Sequence, residues 1–151
     1  MANTQALCTS FKGELLVGHH NFGTGVVRAA TTADTFKAAL YLASATINAS
    51  TTAYTATGEV SGTGYTAGGV TVTNGTAPAT SGTTAYWTPS ASISYTSVTL
   101  STAFDCVLIY NSTQSNKAVS VHTFGSQTVT AGTFTLTMPT NDSSTGLIRL
   151  A

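Results

Sequence analysis

The sequence predicts an all-β chain, an antiparallel two-sheet sandwich of jelly-roll-like type, preceded by a short N-terminal α-helix. Three observations predict it. Of 151 residues, 32 are Thr and 16 are Ser, so hydroxyl-bearing, strand-compatible side chains dominate. Beyond residue 50 the apolar positions recur with period two rather than 3.6. Turn signals separate short runs at intervals of about 8 to 15 residues, a spacing suited to roughly eight strands in a sandwich or related Greek key. The length fits one domain able to bury roughly two-thirds of its unfolded surface. The expected division is an N-terminal helix and arm over 1–30 and a β-sandwich domain over 31–151.

The elements follow in order. Thr4 is placed to cap a helix in which Leu7, Phe11 and Leu15 recur at four-residue spacing with Cys8 beside them. Gly18 offers a left-handed stop, and Gly13 weakens the middle by about 1 kcal/mol relative to Ala. Residues 23–33 are rich in Gly, Thr and Ala and read as an extended arm. Residues 35–43 fit either a helix capped by Asp34 or a strand apolar on both faces, and the strand is the reading adopted. Val70 and Val72 alternate with Thr71 and Thr73 ahead of Asn74-Gly75, a pair suited to a type I′ hairpin turn.

Across 92–100 the apolar parity slips between Tyr95 and Val98, as one extra residue near Thr96, a β-bulge, would cause. From Phe104 to Tyr110 both parities are apolar, which predicts a central strand covered on both sides. Its expected neighbours are 117–124 and 127–129. Phe134, Leu136 and Met138 alternate with Thr133, Thr135 and Thr137, so one face meets a core and the other is a threonine surface, closed by Pro139. Residues 147–150 supply a last short strand. Thr51-Thr52-Ala53-Tyr54, Gly62-Thr63-Gly64-Tyr65 and Thr83-Thr84-Ala85-Tyr86 look alike, but their unequal spacing disfavours a solenoid of fixed rungs.

Charge is scarce: five basic and five acidic residues, 7% of the chain against about a quarter in an ordinary globular domain. Lys12, Arg28, Lys37, Lys117 and Arg149 form no cluster, which argues against a nucleic-acid partner. No apolar run approaches the roughly 18 residues of a membrane-spanning helix, and the opening residues lack the basic and apolar regions of a signal peptide, so the expectation is a soluble chain made in a cytoplasm. Cys8 and Cys106 read as buried thiols rather than a disulfide.

The acids Glu14, Asp34, Glu59, Asp105 and Asp142 are isolated in sequence, and none sits in a nucleophile-elbow, Walker or Rossmann-like context, so no enzyme activity and no cofactor are expected. His19 and His20 are adjacent and His122 is distant. On extended chain the first two point to opposite sides, so no metal site is expected. The glycine-rich run 58–69 lacks the Lys and the following helix of a phosphate loop, and its glycines read as tight turns with close backbone approach. Tyr54, Tyr65, Tyr86, Trp87 and Tyr95 are candidates for a sugar-stacking face, against packing as the ordinary role.

A domain that lives free in water usually keeps charges outside to resist edge pairing. Thr and Ser instead bond to water or backbone and leave no stranded ion when a neighbour closes over them, so this surface suits permanent assembly.

The sequence resembles a family of small virion structural proteins of tailed bacteriophages, of the capsid decoration or cement type. The resemblance rests on Ala2-Asn3, Phe11-Lys12, Leu15-Leu16-Val17-Gly18 and His20-Asn21-Phe22 at the start, on Glu59-Val60-Ser61-Gly62-Thr63-Gly64-Tyr65-Thr66-Ala67-Gly68-Gly69, on Trp87, and on Val107-Leu108-Ile109-Tyr110. These cover about a third of the chain, and the Gly-Thr-Gly-Tyr-Thr-Ala-Gly-Gly run is the most specific part. The resemblance implies a β-sandwich on the capsid exterior, commonly trimeric, with no catalytic residues to transfer. Its expected partners are the major capsid protein and further copies of itself, with neither nucleic acid nor membrane. The expected contact residues are Phe11, Leu15 and Leu16 for docking and Tyr65 in the glycine-rich loop. The alternative is a tail-associated or surface adhesin binding host glycans, which an open groove lined by Tyr86 and Trp87 would favour.

Overall fold

A computed structural model describes residues 3–8, 11, 15, 19–20, 22–23 and 33–150. The chain is all-β. Its strands are β1 (Ala6–Leu7), β2 (Phe36–Leu42), β3 (Val70–Thr71), β4 (Ala79–Ser81), β5 (Thr84–Trp87), β6 (Ile93–Asn111), β7 (Lys117–Leu136) and β8 (Ile148–Leu150). They form two antiparallel sheets, one in the order β1-β7-β6-β2-β3 and one in the order β4-β5-β8. The second sheet packs on the first through Trp87 and Ile148, which join one core with Phe22, Phe36, Leu108 and Val121.

Residues 35–43 take the strand alternative, since β2 pairs along β6 from Phe36↔Asn111 to Leu42↔Phe104. Both of its faces are buried, and a helix would have left one side of the Phe-Lys-Ala-Ala-Leu-Tyr-Leu run to solvent. The central strand expected at 104–110 lies in β6 between β2 and β7, and its side chains from Cys106 to Tyr110 are all buried.

Several expectations require correction. Separate short strands at 92–100 and 104–110 are one strand of 19 residues, and those at 117–124, 127–129 and 133–138 are one strand of 20. A straight strand of that length would run about 60 Å, whereas a domain of this size has a radius of gyration of about 15 Å. The hairpin therefore bends. Its register shifts repeatedly between Tyr95 and Cys106, including at the anticipated bulge, where Ser97 adopts φ 55°. As a result Ile93 and Leu136 from one end line the same 130 Å³ recess as Val107, Ile109 and His122 from the other half. The long hairpin is folded across itself.

Asn74-Gly75 forms no hairpin turn. The Asn74 side chain donates to the Asp34 carbonyl (3.0 Å) and accepts from the Gly23 amide, and these tertiary bonds hold the chain as it crosses from one sheet to the other. The hairpin in this region is β4–β5, turned at Gly82.

The N-terminal helix expected from Thr4 does not begin there, because Ala6–Leu7 is a strand paired with Val121 and Ser120 on β7. Phe11 and Leu15 do have helical backbone, while Gly13, Gly18 and most of the expected arm lie outside the described residues. The described part of 1–30 packs on the body: Cys8, Phe11 and Phe22 belong to the same core as β6.

Candidate functional site

Three polar clusters hold Glu59, Asp34 and Asp105. The largest surrounds Glu59, on a segment that runs beside β2 through Leu42 N–H to Gly58 C=O (2.9 Å) and Val60 N–H to Leu40 C=O (3.0 Å). The Glu59 carboxylate accepts from the Tyr54 hydroxyl at 2.6 Å, the Tyr65 hydroxyl at 2.7 Å and the Gly68 amide at 2.8 Å. Tyr65 in turn accepts from Leu40 N–H. Tyr41, Tyr95 and Tyr110 donate to the carbonyls of Thr55, Ala38 and Gly68. Tyr65 and Tyr110 thus tie the glycine-rich loop to β2 and β6, Tyr41 and Tyr54 tie the segment before it to β2 and to Glu59, and Tyr95 ties β6 to β2. Burial, reinforced by the Glu59 charge, pushes Tyr54 up to about 12 and Tyr65 and Tyr95 well above the ordinary phenol value, so these hydroxyls keep their protons.

The loop needs its glycines. Gly69 has φ +72°, and a Cβ there would fall 1.7 Å from the Ala38 carbonyl oxygen. Gly64, at φ +78°, would place one 2.2 Å from the Ser97 oxygen. The expected close backbone approach is therefore present.

The second cluster is Asp34, buried, which accepts from Asn111 (2.8 Å) and Gln114 (3.3 Å), with His20 Nδ1 also 3.2 Å from the Asn111 amide. The third is Asn3, whose amide bonds Asp105 (2.5 Å) and the Leu42 carbonyl (3.1 Å) while its oxygen accepts from Ile47 N–H (3.0 Å). Asp142 closes a local turn by accepting from Ser144 and Thr145, which hold its carboxyl below the usual carboxylate range. Among the described residues no three His, Cys, Asp or Glu side chains are placed to share a metal ion.

The surface contrasts with these clusters. No ionic residue occurs between Glu59 and Asp105 or between Lys117 and Asp142. Ser94, Thr96, Ser101 and Thr102 of β6 and Thr128, Thr130, Thr133 and Thr135 of β7 are exposed, and Ser94 and Thr135 bond across the strands at 3.1 Å.

The expected contact residues separate. Phe11 is fully buried, edge-on to His20 at 4.7 Å and to Phe22 at 5.7 Å, so its ring is committed to this chain's own core. Leu15 is half-buried and lines an apolar cleft of about 220 Å³ with Phe22, Tyr86, Trp87 and Leu150. Leu16 lies outside the described residues. Tyr65 is a strut of the Glu59 cluster. Tyr86 and Trp87 both line the apolar cleft, as the adhesin alternative expects; Tyr86 is half-buried, while Trp87 is 2% exposed and donates to the Thr76 carbonyl at 2.8 Å, so its ring is packed into the core.

Sequence reasoning missed Glu59 and Asp34 as organising residues because the acids are isolated in sequence, and it offered no signal for Asn3. The available signal was the tyrosine-rich setting of Glu59, with Tyr54 and Tyr65 five and six residues away. No protein-family model, curated protein or solved structure matches this chain.

Proposed function

We propose that the chain is a structural virion protein of a tailed phage, a capsid decoration or cement protein that stabilises the head from outside by binding across major capsid protein subunits, as a homotrimer and without catalysis or cofactor. One observation carries the reading. Asp34, Glu59 and Asp105, three of the five acids, are bonded inward, so the outer surface is even poorer in charge than the composition suggests. An uncharged hydroxyl surface is suited to being covered, since burial strands no ion, and repeated sites on a shell make each further contact effectively intramolecular.

The resemblance of the N-terminal and glycine-rich segments to phage virion proteins supports the same reading. Of the described docking residues, Leu15, half-buried in the lining of the apolar cleft, is the one available to a neighbour. A tag on this chain in purified phage particles tests the proposal. Label at regular spacing on the head exterior is expected; particles that carry none of the chain, with all of it left in the soluble fraction, overturn it.

A further inference from the structure

The two edges of the β6–β7 hairpin are treated differently. On the β6 side, β2 pairs along 104–111, and beyond the bend the glycine-rich loop closes over the strand through Thr99 N–H to Thr63 C=O (2.9 Å). On the β7 side, β1 pairs at Ser120 and Val121 and the Cys8 amide reaches the Val119 carbonyl. Beyond that, among the described residues, no strand pairs with the outer edge of β7 from Thr123 to Leu136. Along this stretch Phe124, Val129, Phe134 and Leu136 are only half-buried, against Phe104 and Tyr95 on the facing strand, which are fully buried.

Natural edge strands are normally guarded by lysine, proline or inward-pointing charge, by a β-bulge, or by cover, and of these the outer edge of β7 shows only the irregularity near Ala131 among the described residues. This one has no ionic side chain from residue 118 to residue 141. We infer that the outer edge of β7 over 127–136, with its half-buried apolar row, is the surface through which copies of this chain meet one another.

Charge selects the occupant. A neutral edge attracts neither a basic nor an acidic partner, whereas a second copy brings the same neutral edge and creates no like-charge pair. Thr128, Thr130, Thr133 and Thr135 then face hydroxyl partners of the kind already seen between Ser94 and Thr135.

Size is sufficient. Ten residues span about 33 Å, and a strip roughly 15 Å wide buries about 500 Å² per copy, close to the lower bound of about 1,000 Å² for a specific interface. The register shifts near Ala131, which has φ 46°, divide the pairing into two short runs, 127–130 and 132–136. Val129, Phe134 and Leu136 complete the burial.

This surface rests on the self-assembling part of the proposed function and not on the capsid. Sedimentation of the full chain and of the double variant Thr128→Lys/Thr133→Lys tests it, with Ser81→Lys on β4 as control and near-ultraviolet circular dichroism to verify the fold. Both β7 threonines are exposed, so the lysines burden the edge and not the core. The wild-type chain is expected as a multimer at 10 µM, the β7 variant as a folded 15.3 kDa monomer at least tenfold weaker in association, and the control unchanged. A dimer dissociated by the same lysines supports the surface and removes the trimer. A wild-type monomer at several hundred micromolar, or a multimer indifferent to the lysines, overturns it. A multimer absent from every particle leaves this surface standing and removes the capsid reading.

Discussion

The region around Glu59 and the far half of the β6–β7 hairpin are built from similar material, tyrosine, threonine and glycine, and use it in opposite ways. Around Glu59 polar groups are turned inward and paired: one carboxylate gathers two phenols and an amide, and the neighbouring phenols reach backbone carbonyls. In the far hairpin the polar groups are turned outward, and the β7 edge runs on past β1. Among the described residues three carboxylates are bonded within the fold, while the hydroxyls of the far hairpin face outside. The first region should tolerate no change of shape or acceptor, and the second should tolerate substitution well unless another copy sits on it.

The largest expected effect is Gly69→Ala. The residue combines a left-handed φ with a position 1.7 Å from a backbone oxygen for the new Cβ, and neither the β2 carbonyl nor the loop can yield cheaply. The loss should be on the order of 4 kcal/mol or more, which places it among exceptional substitutions, and chemical denaturation with far-ultraviolet circular dichroism measures it. Gly82→Ala, also at positive φ but with nothing near its Cβ, should cost only the backbone strain, about 1 to 2 kcal/mol.

Next comes Glu59→Ala, which leaves two phenols and the Gly68 amide without their acceptor and should cost about 3 kcal/mol. Glu59→Gln keeps one acceptor oxygen and should cost about half as much. Equal losses from the two variants would show that the site needs the full carboxylate, and that the volume and single acceptor oxygen kept by Gln do not help.

The two regions differ in how far the sequence discloses them. The far hairpin is legible because period-two alternation depends on local geometry: the bulge between Tyr95 and Val98 and the threonine face of 133–137 appear in the alternation itself. What could not be read was that the segments are continuous, because a bulge and a turn interrupt the pattern alike. Glu59 was illegible for the opposite reason. Its partners at Tyr54, Tyr65 and Gly68 are set by how the loop is laid against β2, which alternation does not encode. Asn74 shows the same limit, since a good turn pair was outweighed by two tertiary hydrogen bonds. Leu7 falls on a helical stripe in the sequence but on a strand in the structure, because four-residue spacing over so short a run fits a strand and its exit equally well.

His122 belongs to neither region: it lies on β7 opposite Val107, its Nε2 2.9 Å from the Ser120 hydroxyl, and it lines two recesses. Burial lowers its pKa to about 4 from 6.5. Above pH 6.5 both folded and unfolded chains hold it neutral, and no penalty arises. Between pH 6.5 and 4 the unfolded chain takes up the proton and the folded chain does not, so stability should fall with falling pH by about 2 to 3 kcal/mol. Urea midpoints across that window measure it, and His122→Gln should flatten the slope. An unchanged slope in that variant would move the acid sensitivity to other groups.

The smallest expected effect is Ser94→Ala. It removes the 3.1 Å bond to Thr135 from an exposed face where water replaces the lost partner, so the folded chain should lose no more than about 0.5 kcal/mol. The comparison between regions turns on this small number. If hydroxyls outside serve only as uncharged cover, deleting one leaves thermal stability within a degree or two, in contrast to Glu59, where deleting one acceptor is felt by three donors. A Ser94→Ala loss above about 2 kcal/mol, measured by calorimetry on the dilute chain, would mean that the outer hydroxyls are a bonded network of their own and that the division of labour between the regions does not exist.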